Sequence, residues 1–234
     1  MQTATRLPDW EAGPIAYPLA KKVSLVIVLA GPLFLFFFGF SLLDGGWEAG
    51  SLVATLFWIS FLGINQWRAT KSSALRGVKT EPLDDPRFEN LVRGLVEQRH
   101  LPNPELLVIE EGGPNALVMR GPRPRLAVTR SLLETFTRTE QEAVAAHCLL
   151  RLASGQAGFI QLASSLGRSG SRFAPKIGYE DDVHAAALTR YPPALADAIT
   201  KAKPAEGVAS PFWFVAHDPS HRHPTERAAA LKEL

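Results

Sequence analysis

Residues 143–152 read AVAAHCLLRL. An apolar helical frame around a histidine is what a metal-gripping helix requires. Two histidines four residues apart share one face and can hold a zinc ion, and a glutamate directly after the first can take a proton from zinc-bound water. His147 stands at the first of these positions, Cys148 where the glutamate would be, and Arg151 where the second histidine would be. Three readings are open: a metal site, a site whose chemistry has been replaced, or a core helix that contains a histidine.

Other residues offer themselves as ligands by spacing. Asp181 and His184 are three apart on one expected helix, and His217, His221 and His223 with Asp218 form the densest ligand cluster in the chain. Against this, "AHDPSHRH" is polar and broken by proline, which reads as an exposed segment. Cys148 has a poor claim to be a thiol nucleophile. Adjacent helical residues point about 100° apart, so His147 is badly placed to activate it, and a small buried thiol is the simpler reading.

The elements that must position these groups begin with the membrane. Of the 234 residues 46% are hydrophobic and the net charge is +2, which excludes the strong basic field of a nucleic-acid-binding protein. The single cysteine, Cys148, rules out an intramolecular disulfide. From Val23 to Leu43 no residue is charged. At about 1.5 Å per residue that stretch matches a hydrocarbon core of roughly 30 Å, and it exceeds the h-region of a signal peptide. A second uncharged stretch, Ala49 to Trp67, follows a short turn carrying Asp44 and Glu48. Its alternative is a buried helix of a soluble core, since Gly, Ser and Thr dilute its hydrophobicity. The expectation is a two-helix transmembrane hairpin over 23–67. Lys21 and Lys22 precede it, and Arg68, Lys71, Arg76 and Lys79 follow it, so the positive-inside rule puts both termini in the cytoplasm of a two-pass inner-membrane protein.

Residues 1–22 then form a cytoplasmic segment, 68–85 a linker and 86–234 a second domain. Phe88, Leu91, Val92, Leu95 and Val96 recur at helical spacing after Asp85-Pro86, predicting a helix over 86–99. "ELLVIEE", "NALVMRG" and "RLAVTR" are short β-like runs between Gly/Pro turns and predict a small antiparallel meander. Helices follow: Ser131 to Phe136, then one opened by a Thr139/Glu142 capping box that carries His147, then three near 180–190, 193–203 and 224–233.

The order of a membrane hairpin, an amphipathic helix, a sheet with "PNALVM", then "LAVTRSLLETFTRTEQEAVAAH", "GYEDDVHAAAL" and "HPTERAAAL" resembles the HtpX-like family of membrane zinc peptidases, relatives of the CaaX prenyl endopeptidases. The resemblance implies an α+β fold: the hairpin, then a mainly helical zincin-like domain with a small antiparallel sheet. It also implies that a strand edge around Asn115, Ala116 and Leu117 presents extended peptide beside the zinc helix. Carried over by position, His147 matches the first ligand, Cys148 the general base and Arg151 the second ligand. In the family's ExxxD motif Gly178 falls at the third ligand and Asp182 at the aspartate.

Of the three ligand positions and the base, three are changed: Cys148, Arg151 and Gly178. A catalytic zinc needs about three protein ligands, and a permanently charged guanidinium repels a dication. Arg151 is expected instead to pair with Glu180, Asp181 or Asp182 in a metal-free polar cluster. The resulting expectation is a membrane pseudopeptidase with no cofactor, embedded in the lipid bilayer and bound to a membrane-protein partner. The alternative is an active zinc metalloendopeptidase with a site rebuilt from His147, His184, His217, His221 and His223.

Overall fold

The structure is a computed structural model, which describes residues 78–121, 123–158, 160, 178–206, 212–217 and 221–234, with a few helical positions between 31 and 64. Most of the expected hairpin, its connecting turn and Asp218 lie outside the described residues. Among the described residues no helix is long and apolar enough to cross a membrane.

The first element is a strand within the stretch read as a linker, β1 (Thr80–Pro82). Helix α1 (Pro86–Arg99) has the expected bounds. Asp85 caps it by accepting hydrogen bonds from the Arg87 and Phe88 amides at 2.9 and 3.1 Å, Pro86 occupies the first turn where no amide partner is needed, and His100 ends it in the left-handed conformation. Its buried face is Phe88, Val92 and Leu95, spaced by four and three residues.

Three strands follow: β2 (Glu105–Ile109), β3 (Ala116–Met119) and β4 (Arg125–Thr129). They do not form an antiparallel meander. The sheet order is β1-β2-β4-β3, with β2 parallel to β4 and the other two pairs antiparallel. The β3–β4 hairpin forms as the turn residues suggest, but β4 inserts beside β2, so the "GGP" connection spans the width of a strand instead of making a tight turn. Run lengths and turn residues cannot distinguish these pairings, because both present the same alternation. One face, with Val108, Val118, Leu126 and Val128, belongs to the main core. The other, with Leu107, Ile109, Leu117, Met119 and Ala127, packs on Ile160, Phe212 and Trp213.

A short helix α2 (Arg130–Thr135) leads into α3 (Arg138–Ala153), the helix carrying His147. The capping box that opens α3 is Thr137 with Glu140, two residues before the expected pair. Thr137 Oγ1 accepts from the Glu140 amide, and the Thr137 amide donates to Glu140 Oε2 at 2.8 Å. Both Thr-x-x-Glu spacings satisfy the pattern, and the earlier one wins because Glu140 is also buried against Lys201 Nζ at 2.7 Å. Ala143, Ala145 and Ala146 are fully buried, which lets neighbouring backbones approach α3 closely. Around it pack α4 (Tyr179–Thr189), α5 (Pro192–Lys201) and α6 (Pro224–Lys232), close to the expected bounds.

Candidate functional site

The site is built on α3, which presents His147 and Arg151 from one face, both fully buried. Facing them are Asp182 on α4, Arg227 on α6 and the segment 212–216. Arg227 makes a bidentate pair with Asp182, Nε to Oδ2 and Nη2 to Oδ1, each 2.8 Å. Its third donor, Nη1, reaches the Phe214 carbonyl at 2.9 Å, and the guanidinium carbon sits 5.3 Å from the centre of the Phe214 ring. Burial alone would raise the Asp182 carboxyl, but the charge and hydrogen bonds of Arg227 hold it well below the usual carboxylate range. Asp182 is therefore an anion in the interior, neutralised by a fork that matches its geometry.

His147 Nδ1 lies 3.2 Å from Asp182 Oδ1, without the alignment of a hydrogen bond, and Nε2 has no hydrogen-bond partner among the described residues. Burial dominates its titration and pulls the imidazole below its ordinary value, so the ring is neutral near pH 7 and the contact with Asp182 is not an ion pair. Its edge packs on Phe214, with centroids 5.1 Å apart at 73°. Burial pushes the Cys148 thiol up to about 12, which leaves it un-ionised and unreactive.

Arg151, at the second-histidine position, turns to the backbone: its Nη1 donates to the Trp213 carbonyl at 3.0 Å. The guanidinium that pairs with Asp182 is thus Arg227 and not Arg151. Asp181 accepts a hydrogen bond from Gln156 Nε2 at 2.9 Å, and Glu180 is exposed. Gly178 caps α4 with φ +157°, a conformation L side chains rarely adopt, and a Cβ there would come within 3.0 Å of the Arg222 side chain. The backbone at Gly178 thus favours a residue without a side chain.

The remaining histidines lie apart from His147. His184 Nδ1 contacts its own helix at the Glu180 carbonyl, 2.6 Å away. His221 is buried and its Nε2 donates to the Trp213 carbonyl at 3.0 Å. His217 and His223 are exposed, with rings 6.4 Å apart. Among the described residues no group of three or more His, Cys, Asp or Glu comes together to hold a metal. Asn115, Ala116 and Leu117 are buried, and along them runs the chain's own segment 213–215.

Over 116 residues, 46% of its length, the chain is 34% identical to proteins named Protease HtpX homolog from Neisseria meningitidis serogroup C (strain 053442) and from two strains of Neisseria gonorrhoeae. Over that region the chain is similar to these HtpX homologues. The matched region is 42% of those relatives' length, so the chain spans less than half of the curated relatives it matches. No protein-family model matches it. Among solved structures, Ste24p of S. mikatae aligns with 91% of this chain and 64% of its own, at 15% identity and a TM-score of 0.45.

Two members of the site carry little signal in the sequence. Arg227 was read only as part of a helix-start motif, although an arginine three residues after Pro224 and just before "AAAL" lies on the inward face of a short helix. Phe214 gave no signal beyond hydrophobicity, because its contacts to His147 and Arg227 come from residues 67 and 13 positions away.

Proposed function

We propose that the HtpX-like chain is an integral membrane pseudopeptidase that has lost its zinc site and serves as a protein-binding or structural subunit of a membrane assembly. The observation that carries this reading is the use of the second-ligand position: Arg151 is buried there and bound to the Trp213 carbonyl. The donors present do not suit a zinc ion. His147 offers one imidazole nitrogen, the carboxylate beside it is held by a bidentate guanidinium, and the third position is a glycine. A dication would have to enter beside two fixed positive charges with one neutral ligand in place of about three.

The membrane part of the proposal rests on the two uncharged stretches and on the described positions between 52 and 64. These are helical, and Leu52, Leu56, Ile59 and Ile64 are 55–64% exposed, so this segment's apolar surface is not buried on the domain. Lipid or a membrane-protein partner is the environment that suits such a surface. We place the chain in the inner membrane as a two-pass protein with both termini in the cytoplasm, following the charge asymmetry of its flanks.

The test is elemental mass spectrometry of the detergent-purified full chain after mild chelation and again after zinc is added back, with cleavage of unfolded casein followed in parallel. The expected result is no retained zinc and no chelator-sensitive cleavage. One tightly held zinc per chain with such cleavage would establish the alternative, an active metalloendopeptidase with a rearranged site, and overturn the proposal.

A further inference from the structure

The sheet has two outer strands, β1 and β3, and β3 is the one beside the site. An unpaired outer strand offers a row of amides and carbonyls to any extended chain, which makes it the natural place for a polypeptide to add. In this molecule the place is taken. Leu117 stands antiparallel to Trp213, and the Phe214 amide donates to the Ala116 carbonyl at 2.7 Å. Beyond that segment Ala205 pairs in parallel with Ala216, through hydrogen bonds from the Ala205 amide to Val215 and from the His217 amide to Ala205.

Three successive carbonyls of this segment are held by side chains, and two of the holding groups are arginines from the site. Trp213 O receives Arg151 Nη1 and His221 Nε2, both at 3.0 Å. Phe214 O receives Arg227 Nη1 at 2.9 Å. Val215 O receives Asn115 Nδ2 at 2.7 Å, while Asn115 Oδ1 accepts the Val215 amide at 3.2 Å. Asn115 Nδ2 also reaches the Lys203 carbonyl at 2.7 Å, which ties the next segment to the same residue.

We propose that residues 213–215 are a resident strand: the chain fills its own peptide-binding edge, and Arg151 and Arg227 act as a carbonyl clamp that keeps it there. A zinc helix beside an open edge would polarise the carbonyl of a visiting peptide. Here a guanidinium on that helix binds a carbonyl of the chain itself. Phe214 and Val215 are fully buried members of the main core, so the strand cannot lift without exposing that core and taking the Trp213 and Phe214 carbonyls away from Arg151 and Arg227. This inference rests on the pseudopeptidase reading and sharpens it, because a protein partner of this chain must then bind elsewhere than along β3.

Hydrogen exchange of the wild-type full chain in detergent is the first test, since it needs no variant. The Phe214 and Val215 amides are expected to exchange within about a hundredfold of Val128 in the sheet centre, as members of one cooperative unit. Exchange faster than that would show an edge that opens on its own and would overturn the proposal.

A second test locks the edge. Leu117 and Trp213 face each other as a pair flanked by hydrogen bonds, where Cα atoms lie about 4.5 Å apart, within disulfide range. In a Cys148→Ala background, Leu117→Cys with Trp213→Cys should oxidise. A fluorescent synthetic peptide of residues 211–217 should then fail to bind saturably to wild type, reduced variant and oxidised variant alike. Binding to wild type that oxidation of the variant abolishes would mean that β3 accepts visiting peptide, and the inference would fall. The two proposals fail separately: retained zinc refutes the pseudopeptidase without touching amide protection, whereas rapid exchange refutes the resident strand and leaves the zinc content unchanged.

Discussion

Asp182 and Arg227 are each stripped of water and satisfied by one another, so removing either leaves an uncompensated charge inside the protein. Arg227→Ala is expected to destabilise the chain by about 3–5 kcal/mol, whereas the double change Asp182→Leu with Arg227→Met recovers most of that loss because no charge is left buried. Denaturant unfolding monitored by tryptophan fluorescence checks both. A double variant no more stable than the single one would mean that the pair does more than neutralise itself. At the same scale, Glu140 carries a pH effect. Burial would raise its carboxyl, but the Lys201 ammonium and the Thr137 amide and hydroxyl outweigh this and hold it below the ordinary value. A depressed folded-state value means that the contribution is full above the unfolded value of about 4.3 and is lost as pH falls toward the folded one. Glu140→Gln should cost about 1 kcal/mol at pH 7, and its unfolding midpoint should fall less steeply than wild type between about pH 5 and 3.

At the scale of elements, α1 was legible to the residue because its signals are local: a capping aspartate, a proline in the first turn and an apolar stripe at helical spacing. The helix carrying His147 was legible for the same reason, with its start displaced by two residues because two Thr-x-x-Glu patterns overlap. The sheet was legible in strand content and illegible in pairing. Each run alternates in the same way whether β2 pairs with β3 or with β4, and the decision falls to packing, which needs both faces of β4 covered. β1 was hidden because three residues ending in proline carry no periodicity, and the strand exists only because β2 offers it an edge.

For the whole molecule the proposed loss of the zinc site predicts independence from metal. Arg227 ties α6 to Asp182 on α4 and to the Phe214 carbonyl, and Arg151 ties α3 to the neighbouring Trp213 carbonyl, which on that reading links the three helices without an ion. Thermal unfolding of the full chain in detergent should be unchanged by a strong chelator or by excess zinc. A ligand present at a hundred times its dissociation constant would stabilise the folded state by about 2.7 kcal/mol, so a clear upward shift with zinc would refute this prediction.

Composition and order determined by themselves that this chain has two long uncharged stretches at its front, a mixed helical and strand domain behind them, and a His147-Cys148-Leu149-Leu150-Arg151 run where a zinc-gripping helix would read His-Glu-x-x-His. Those are properties of residue type and spacing, which no fold can alter. Only the tertiary structure decided what surrounds those residues. The partner of Asp182 comes from a helix 45 residues further on, the acceptor for Arg151 is a carbonyl 62 residues away, and the strand covering β3 is the segment that supplies it. Long-range pairs of this kind are chosen by burial, because a guanidinium taken out of water binds whichever acceptors the fold brings to it, and a linear pattern of residues does not specify which those are.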